Sequence, residues 1–225
     1  MRIDTELRYD RLYRCGAGTS GGFACRGQGS AFFDIGGGYG ITDRLEVGAI
    51  VAPLRLTAGD TYGSPSVYGK FQFLRGSTFQ AGATLRLTLQ NESELGLAVD
   101  VGVPFWINFT ERFQLQTGIN YRIATAGGFS HALDVPLRFN NNVSDHFHTA
   151  FLFGLGFNAS AVVDTLAVPF GIEAGYVLAG TNNHPVLDVT AQFLFPRFLV
   201  PAASGDPIQT ERFIAVLNAR LYLFL

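Results

Sequence analysis

The chain has 225 residues, of which 48% are apolar, 13% aromatic and only 15% charged, where ordinary soluble domains carry about 25% charge. A net charge of −2 excludes an electrostatic case for nucleic acid. No stretch approaches the ~20 uninterrupted apolar residues of a membrane helix: the best candidate, Ala159 to Gly180, is broken by Asp164, Pro169 and Glu173. A chain this greasy that meets lipid must close a β-barrel, because lipid leaves no backbone group unpaired.

In chain order, Met1 leads directly into the strand-like RIDTELRY, so a mature chain with an added initiator Met is expected. Cys15 and Cys25 then flank the Gly/Ser-rich GAGTSGGFA. A disulfide closing this loop is expected over two free thiols, worth roughly 2.5–3 kcal/mol in the chain-entropy model. Metal binding is not expected there, since no His or further Cys lies nearby.

Beyond the cysteines the dominant signal is alternation with period two. In FQAGATLRLTL, Phe79, Ala81, Ala83, Leu85, Leu87 and Leu89 share one face, with Gln80, Gly82, Thr84, Arg86 and Thr88 opposite. Residues 95–107 and 113–123 repeat the pattern. About twelve such runs are expected, at 2–13, 29–41, 44–55, 66–75, 78–89, 94–108, 112–124, 131–140, 146–157, 164–179, 185–198 and 211–225. They are long enough for tilted strands that cross a bilayer, which take ~9–11 residues plus overhang. Short turns, as at Thr42 to Arg44 and Arg75 to Ser77, alternate with generally longer loops, as at Leu56 to Pro65 and Val200 to Thr210. Pro53, Pro104, Pro136, Pro169 and Pro196 fall inside these runs. Bulges or strand ends are expected there, because proline removes a ladder donor.

The chain ends in NARLYLFL, with Leu217, Ala219, Leu221, Leu223 and Leu225 on one face. This ending resembles bacterial outer-membrane proteins, whose final strand carries an alternating apolar pattern read by the assembly machinery; their usual terminal Phe is here Phe224 followed by Leu225. The segment GYGITDRLEVG, Gly38 to Gly48, resembles the strand–turn–strand phrase of such barrels. The resemblance implies an all-β fold, a transmembrane antiparallel up-and-down barrel formed by residues 1–225 as one domain. It implies the bacterial outer membrane, with lipid and lipopolysaccharide as neighbours. An even strand count puts both termini on the short-turn, periplasmic side and the Cys15–Cys25 loop outside the cell.

The polar face is rich in Gly, Gln, Thr and Asn, and Lys70 is the one lysine inside a proposed strand. That suits a lumen, whereas a soluble sandwich would expose many Lys and Glu. Tyr9, Tyr13, Tyr39, Phe105, Trp106, Phe109, Tyr121 and Tyr176 lie near strand ends, as interface girdles would. Twelve strands give a backbone diameter of roughly 24 Å. Inward glycines, among them Gly36, Gly38, Gly82, Gly102, Gly118, Gly154, Gly171 and Gly175, either leave space in the lumen or ease curvature.

Aligning the strands on their turns places Asp34, Lys70, Asp100 and Glu173 near mid-height inside, with Asn120 close by. Arg86 and Arg122 are expected nearer the outer mouth, Arg138 and Arg220 nearer the periplasm. Charged rings at a constriction set ion preference, so these nine residues are the candidate pore lining of a narrow porin-like channel for ions or small solutes. The alternative is a closed structural or partner-binding barrel, a subunit of an envelope assembly, whose lumenal charges only satisfy one another. A catalytic role is not expected, an outer-membrane lipid-modifying enzyme or protease being the least favoured of the three readings. Asp145, His146 and His148 read as turn chemistry, and His131 has only Asp134 as a weak orienting partner. No cofactor or metal pattern is present.

Overall fold

Every alternating run pairs antiparallel with the next, and the first pairs with the last, so the sheet closes on itself. In this computed structural model the described residues are 1–17, 23–56, 63–91, 95–158, 165–179, 185–201, 208, 210 and 212–223. The twelve strands are β1 (Arg2–Ala17), β2 (Phe23–Gly40), β3 (Leu45–Arg55), β4 (Ser66–Arg75), β5 (Phe79–Asn91), β6 (Leu95–Asn108), β7 (Phe113–Ala124), β8 (Ser130–Asn142), β9 (Phe147–Asn158), β10 (Val168–Ala179), β11 (Pro185–Leu199) and β12 (Arg212–Tyr222). Closure runs from Arg2↔Tyr222 to Leu12↔Arg212.

Among the described residues the barrel has no large apolar core. Their buried apolar side chains are small or few: Ala81, Ala98, Ala124, Ala150, Leu152, Ala167 and Val200. Most of the large ones point out, as the alternation requires: Val67 is 55% exposed, Leu85 48%, Val101 48%, Ile119 50%, Phe151 55% and Ile172 51%. Water does not tolerate a continuous apolar belt of this extent, and a closed ladder satisfies its own backbone. The molecule is a membrane-spanning barrel.

Two expectations about the strands are corrected. The segment read as a loop at Arg14 to Gln28 is strand on both sides, to Ala17 and from Phe23. A hairpin ladder is local, so β1 and β2 keep pairing to Ala17↔Phe23 after β12 has ended at Leu12. Cys15 and Cys25 are direct register partners on this ribbon; their side chains lie outside the described residues, as does the apolar ending at Phe224 and Leu225. Trp106 is on the inward row, register-paired to Gln80 and Gln116, and so belongs to no outer girdle. Tyr39, Phe109 and Tyr176 are exposed at 55%, 61% and 51%.

The prolines divide. Register shifts accompany Pro53, where β3 carries one extra residue between the pairs Ile35↔Ala52 and Gly36↔Ile50, and Pro169 with Pro196, between Val168↔Leu199 and Phe170↔Phe195. Pro104 and Pro136 cause no register shift, but pairing lapses on one side of each, between Ala81↔Phe105 and Thr84↔Gly102 and between Thr117↔Leu137 and Asn120↔Asp134. On its other side each faces a glycine, in the pairs Pro104↔Gly118 and Pro136↔Gly154. A Cβ on Gly118 would stand 2.8 Å from the Val103 carbonyl oxygen and 2.9 Å from Pro104 Cα, and one on Gly154 would stand 2.8 Å from the Val135 oxygen. The missing Cβ lets the neighbouring strand come close where the proline ring distorts the ladder. These glycines therefore serve the wall's curvature rather than leaving lumenal space.

Gly118→Val is expected to destabilise the barrel by about 1–3 kcal/mol through overpacking. Gly69→Ala, whose Cβ would meet no atom within 4 Å, is expected to be neutral. Urea unfolding in lipid vesicles checks both; equal midpoints for the two variants would contradict this account of the glycines.

Candidate functional site

The interior is built from the inward rows, and β1 contributes most charge: Arg2, Asp4, Glu6, Arg8 and Asp10 follow each other at every second position. At the end of the barrel that holds the chain termini, Arg2 is the centre of a network. Its Nε lies 2.9 Å from Asp4, its Nη2 3.1 Å from Glu46 Oε1, and Nη2 donates to the Tyr68 hydroxyl at 2.9 Å. Lys70 Nζ reaches the same Glu46 at 3.4 Å. Arg220 joins Asp4 at 3.6 Å and Asp188 at 3.7 Å. Gly38 and Gly48 make this possible: Cβ atoms there would stand 2.8 Å and 2.3 Å from the Tyr68 hydroxyl oxygen, so only glycine lets the Tyr68 ring lie against the wall.

Further in, a polar cavity of about 560 Å³ is lined by Asp34, Lys70, Arg86, Asp100, Asn120 and Arg122, together with Arg8, Phe32, Arg55 and Asp134. Arg122 Nε lies 3.6 Å from Asp100. A second polar cavity of about 250 Å³ extends toward the termini, between Arg2, Asp4, Glu6, Asn218 and Arg220. The two share Arg8, Asp34, Ile50, Tyr68, Lys70 and Arg86 in their linings, so they meet at this level.

Across the lumen a third group is closed on itself. Arg138 Nη2 bonds Glu173 closely, and His148 Nε2 stands 3.7 Å from the same carboxylate, whose side chain is only 10% exposed. Arg138 Nη1 donates to Gln116 at 3.2 Å, Gln116 to Gln114 at 2.9 Å, and Gln114 to Asn108 at 2.7 Å. This amide chain ties β6, β7, β8 and β10 together. Beside it the wall turns apolar, with Pro136, Leu152, Pro169, Leu194 and Pro196 around a cavity of about 610 Å³ that shares Asp134 with the polar one.

The nine candidate residues thus fall into three sets. Asp34, Lys70, Arg86, Asp100, Asn120 and Arg122 come together in one cavity, with Arg86 and Arg122 beside the acidic residues rather than separated from them. Glu173 does not join Asp34 and Asp100 but pairs with Arg138. Arg220 belongs to the Asp4–Asp188 network. Sequence reasoning missed Arg2, Asp4, Glu6 and Arg8, although the alternation in RIDTELRYDR displays them. It also missed His148, which is in β9 rather than a turn. His131 Nδ1 is 2.7 Å from the Tyr121 hydroxyl and its ring stacks on Tyr121, so no carboxylate orients it.

The barrel is similar to the KdgM porin solved with a disordered oligogalacturonate, with a TM-score of 0.62 and 7% identity over 100% of both chains. It is similar to the NanC porin at TM-score 0.60 and 9% identity, covering 98% of this chain and 100% of that one. An outer membrane channel from Pseudomonas putida F1 aligns at TM-score 0.64 and 13% identity, over 98% of this chain and 94% of the other. The shared property is the fold, and these neighbours are porins and channels rather than enzymes. No family model matches the chain, and no curated protein matches it in sequence.

Arg138→Met would strand the buried Glu173 carboxylate and is expected to destabilise the barrel by about 3 kcal/mol. Adding Glu173→Leu removes the stranded charge and should recover most of that loss. A double-mutant cycle read by urea unfolding checks it; equal stability of the single and double variants would contradict the pairing.

Proposed function

We propose that the chain is a bacterial outer-membrane protein forming a narrow channel for ions or small solutes. One observation carries the reading: two polar, charge-lined cavities meet inside a closed barrel whose outside is apolar. A barrel that served only as a scaffold would satisfy its charges in compact pairs, as Arg138 and Glu173 do. The Arg8–Arg86 side leaves solvent-sized space between opposite charges instead. Solute passes along this side, while the amide chain from Asn108 to Glu173 braces the other. The likeness to porins agrees with this at the level of the fold.

The short turns and both termini face the periplasm, and the β1–β2 ribbon projects outside the cell, the usual arrangement of such barrels. Cys15 and Cys25, being register partners, form a disulfide across that ribbon. It pins the part of the hairpin that has lost its β12 neighbour.

Purified barrel in planar bilayers is expected to give discrete, small conductance steps; folded protein that never conducts would overturn the channel reading. Intact mass should lie below the fully reduced value by two hydrogens, and reduction should restore them. Two free thiols in exported protein would refute the disulfide.

A further inference from the structure

The larger polar cavity contains an arrangement that the channel reading does not explain. Arg8, Phe32 and Arg55 are consecutive partners in one rung of the ladder across β1, β2 and β3. Both guanidiniums lie over the Phe32 ring, with Cζ 4.6 Å and 5.4 Å from its centroid. Arg86 sits similarly over Tyr68 at 5.8 Å. Stacking fixes the plane of a guanidinium and leaves its N–H edge free. That edge is unused: the Nε atoms of Arg8 and Arg55 are buried without an acceptor. Among the described residues, none of Arg8, Arg55 and Arg86 forms an ion pair, whereas Arg2, Lys70, Arg122, Arg138, Arg212 and Arg220 all do. A buried guanidinium donor without a partner is costly, and two in one rung of the cavity wall, with Arg86 beside them, need an explanation.

We infer that Arg8, Arg55 and Arg86, held by Phe32 and Tyr68, form a lumenal binding site for solutes bearing an oxyanion, a carboxylate or a phosphate. The forked donors match either group in bidentate geometry. The cavity, about 560 Å³, lies within the roughly 300–1,000 Å³ range of small-molecule sites. Asp34 lines this cavity, and Glu6, its partner across β1 and β2, lines the smaller cavity that meets it. They hold the local excess of positive charge to one, which keeps the site weak enough to release what it binds, as conduction requires. Arg122 pairs with Asp100 on the far wall, where Asp134 also lies.

The inference rests on the proposal of a solute channel, but its test does not need conductance. Detergent-solubilised barrel is titrated calorimetrically at low salt with succinate and, separately, with phosphate. Binding of at least one is expected, weakened about tenfold or more in R8Q/R55Q through the lost charge-assisted bonds. Phe32→Leu, which keeps every charge but removes the stacking platform, should weaken it also. Heat-modifiable gel migration verifies that each variant is folded; if R8Q/R55Q fails to fold, F32L and R86Q carry the test. Binding of neither solute, or binding equal in wild type and every folded variant, overturns the site. In bilayers that conduct, the reversal potential in a salt gradient should favour anions and move toward cations in R8Q/R55Q; an unmoved potential also overturns it. A barrel that binds but does not conduct overturns the channel reading alone.

Discussion

The cross-strand ladder that returns from β12 to β1 is the constraint on which everything else depends. Hydrocarbon offers no partner for an unpaired N–H or C=O, so the sheet must close before its apolar side can face lipid. Once it is closed, the period of two forces the other side inward. The sequence then needs no large apolar core, and among the described residues the buried apolar side chains are mostly alanine. Stability is moved from core packing to the ladder, to the outward apolar belt and to polar pairing across the lumen.

That lumen is divided. Around Arg138 and Glu173 an ion pair and an amide chain tie the polar groups together, leaving Arg138 Nε without an acceptor, and proline and leucine cover the wall beside them. Around Arg8 and Asp34 the charges are spread along a cavity with space between them. The same fold thus carries a braced half and a wet half. Aromatic rings anchor the wet half's cations without neutralising them, as Phe32 does for Arg8 and Arg55.

How much of this the sequence displays depends on how local each cause is. Leu85, Leu87 and Leu89 alternate with Arg86 and Thr88, and that alone orients β5. Closure and strand count follow from repeating the reading twelve times. The β1–β2 ribbon is harder, because GAGTSGGFA has no alternation to announce that pairing continues to Ala17↔Phe23. Pro104 and Pro136 interrupt the ladder on one side without shifting register, and only strand pairing shows Gly118 and Gly154 facing them on the other. Arg55 shows the limit most clearly. Counted from Val47 by twos it belongs outside, and only the extra residue in β3 turns it inward onto Phe32. Lumenal groupings such as Glu173 with Arg138 and His148 depend on register and on side-chain reach across several strands.

The central claim is that alternate residues of one strand meet water inside the barrel and hydrocarbon outside it. Spin labels placed singly along β7, at residues 116, 117 and 119 to 122 in a background without Cys15 and Cys25, measure this in reconstituted vesicles. Collision with a water-soluble nickel chelate should dominate at Gln116, Asn120 and Arg122, and collision with lipid-dissolved oxygen at Thr117, Ile119 and Tyr121. A pattern without that alternation, or with the two sets exchanged, would contradict the account.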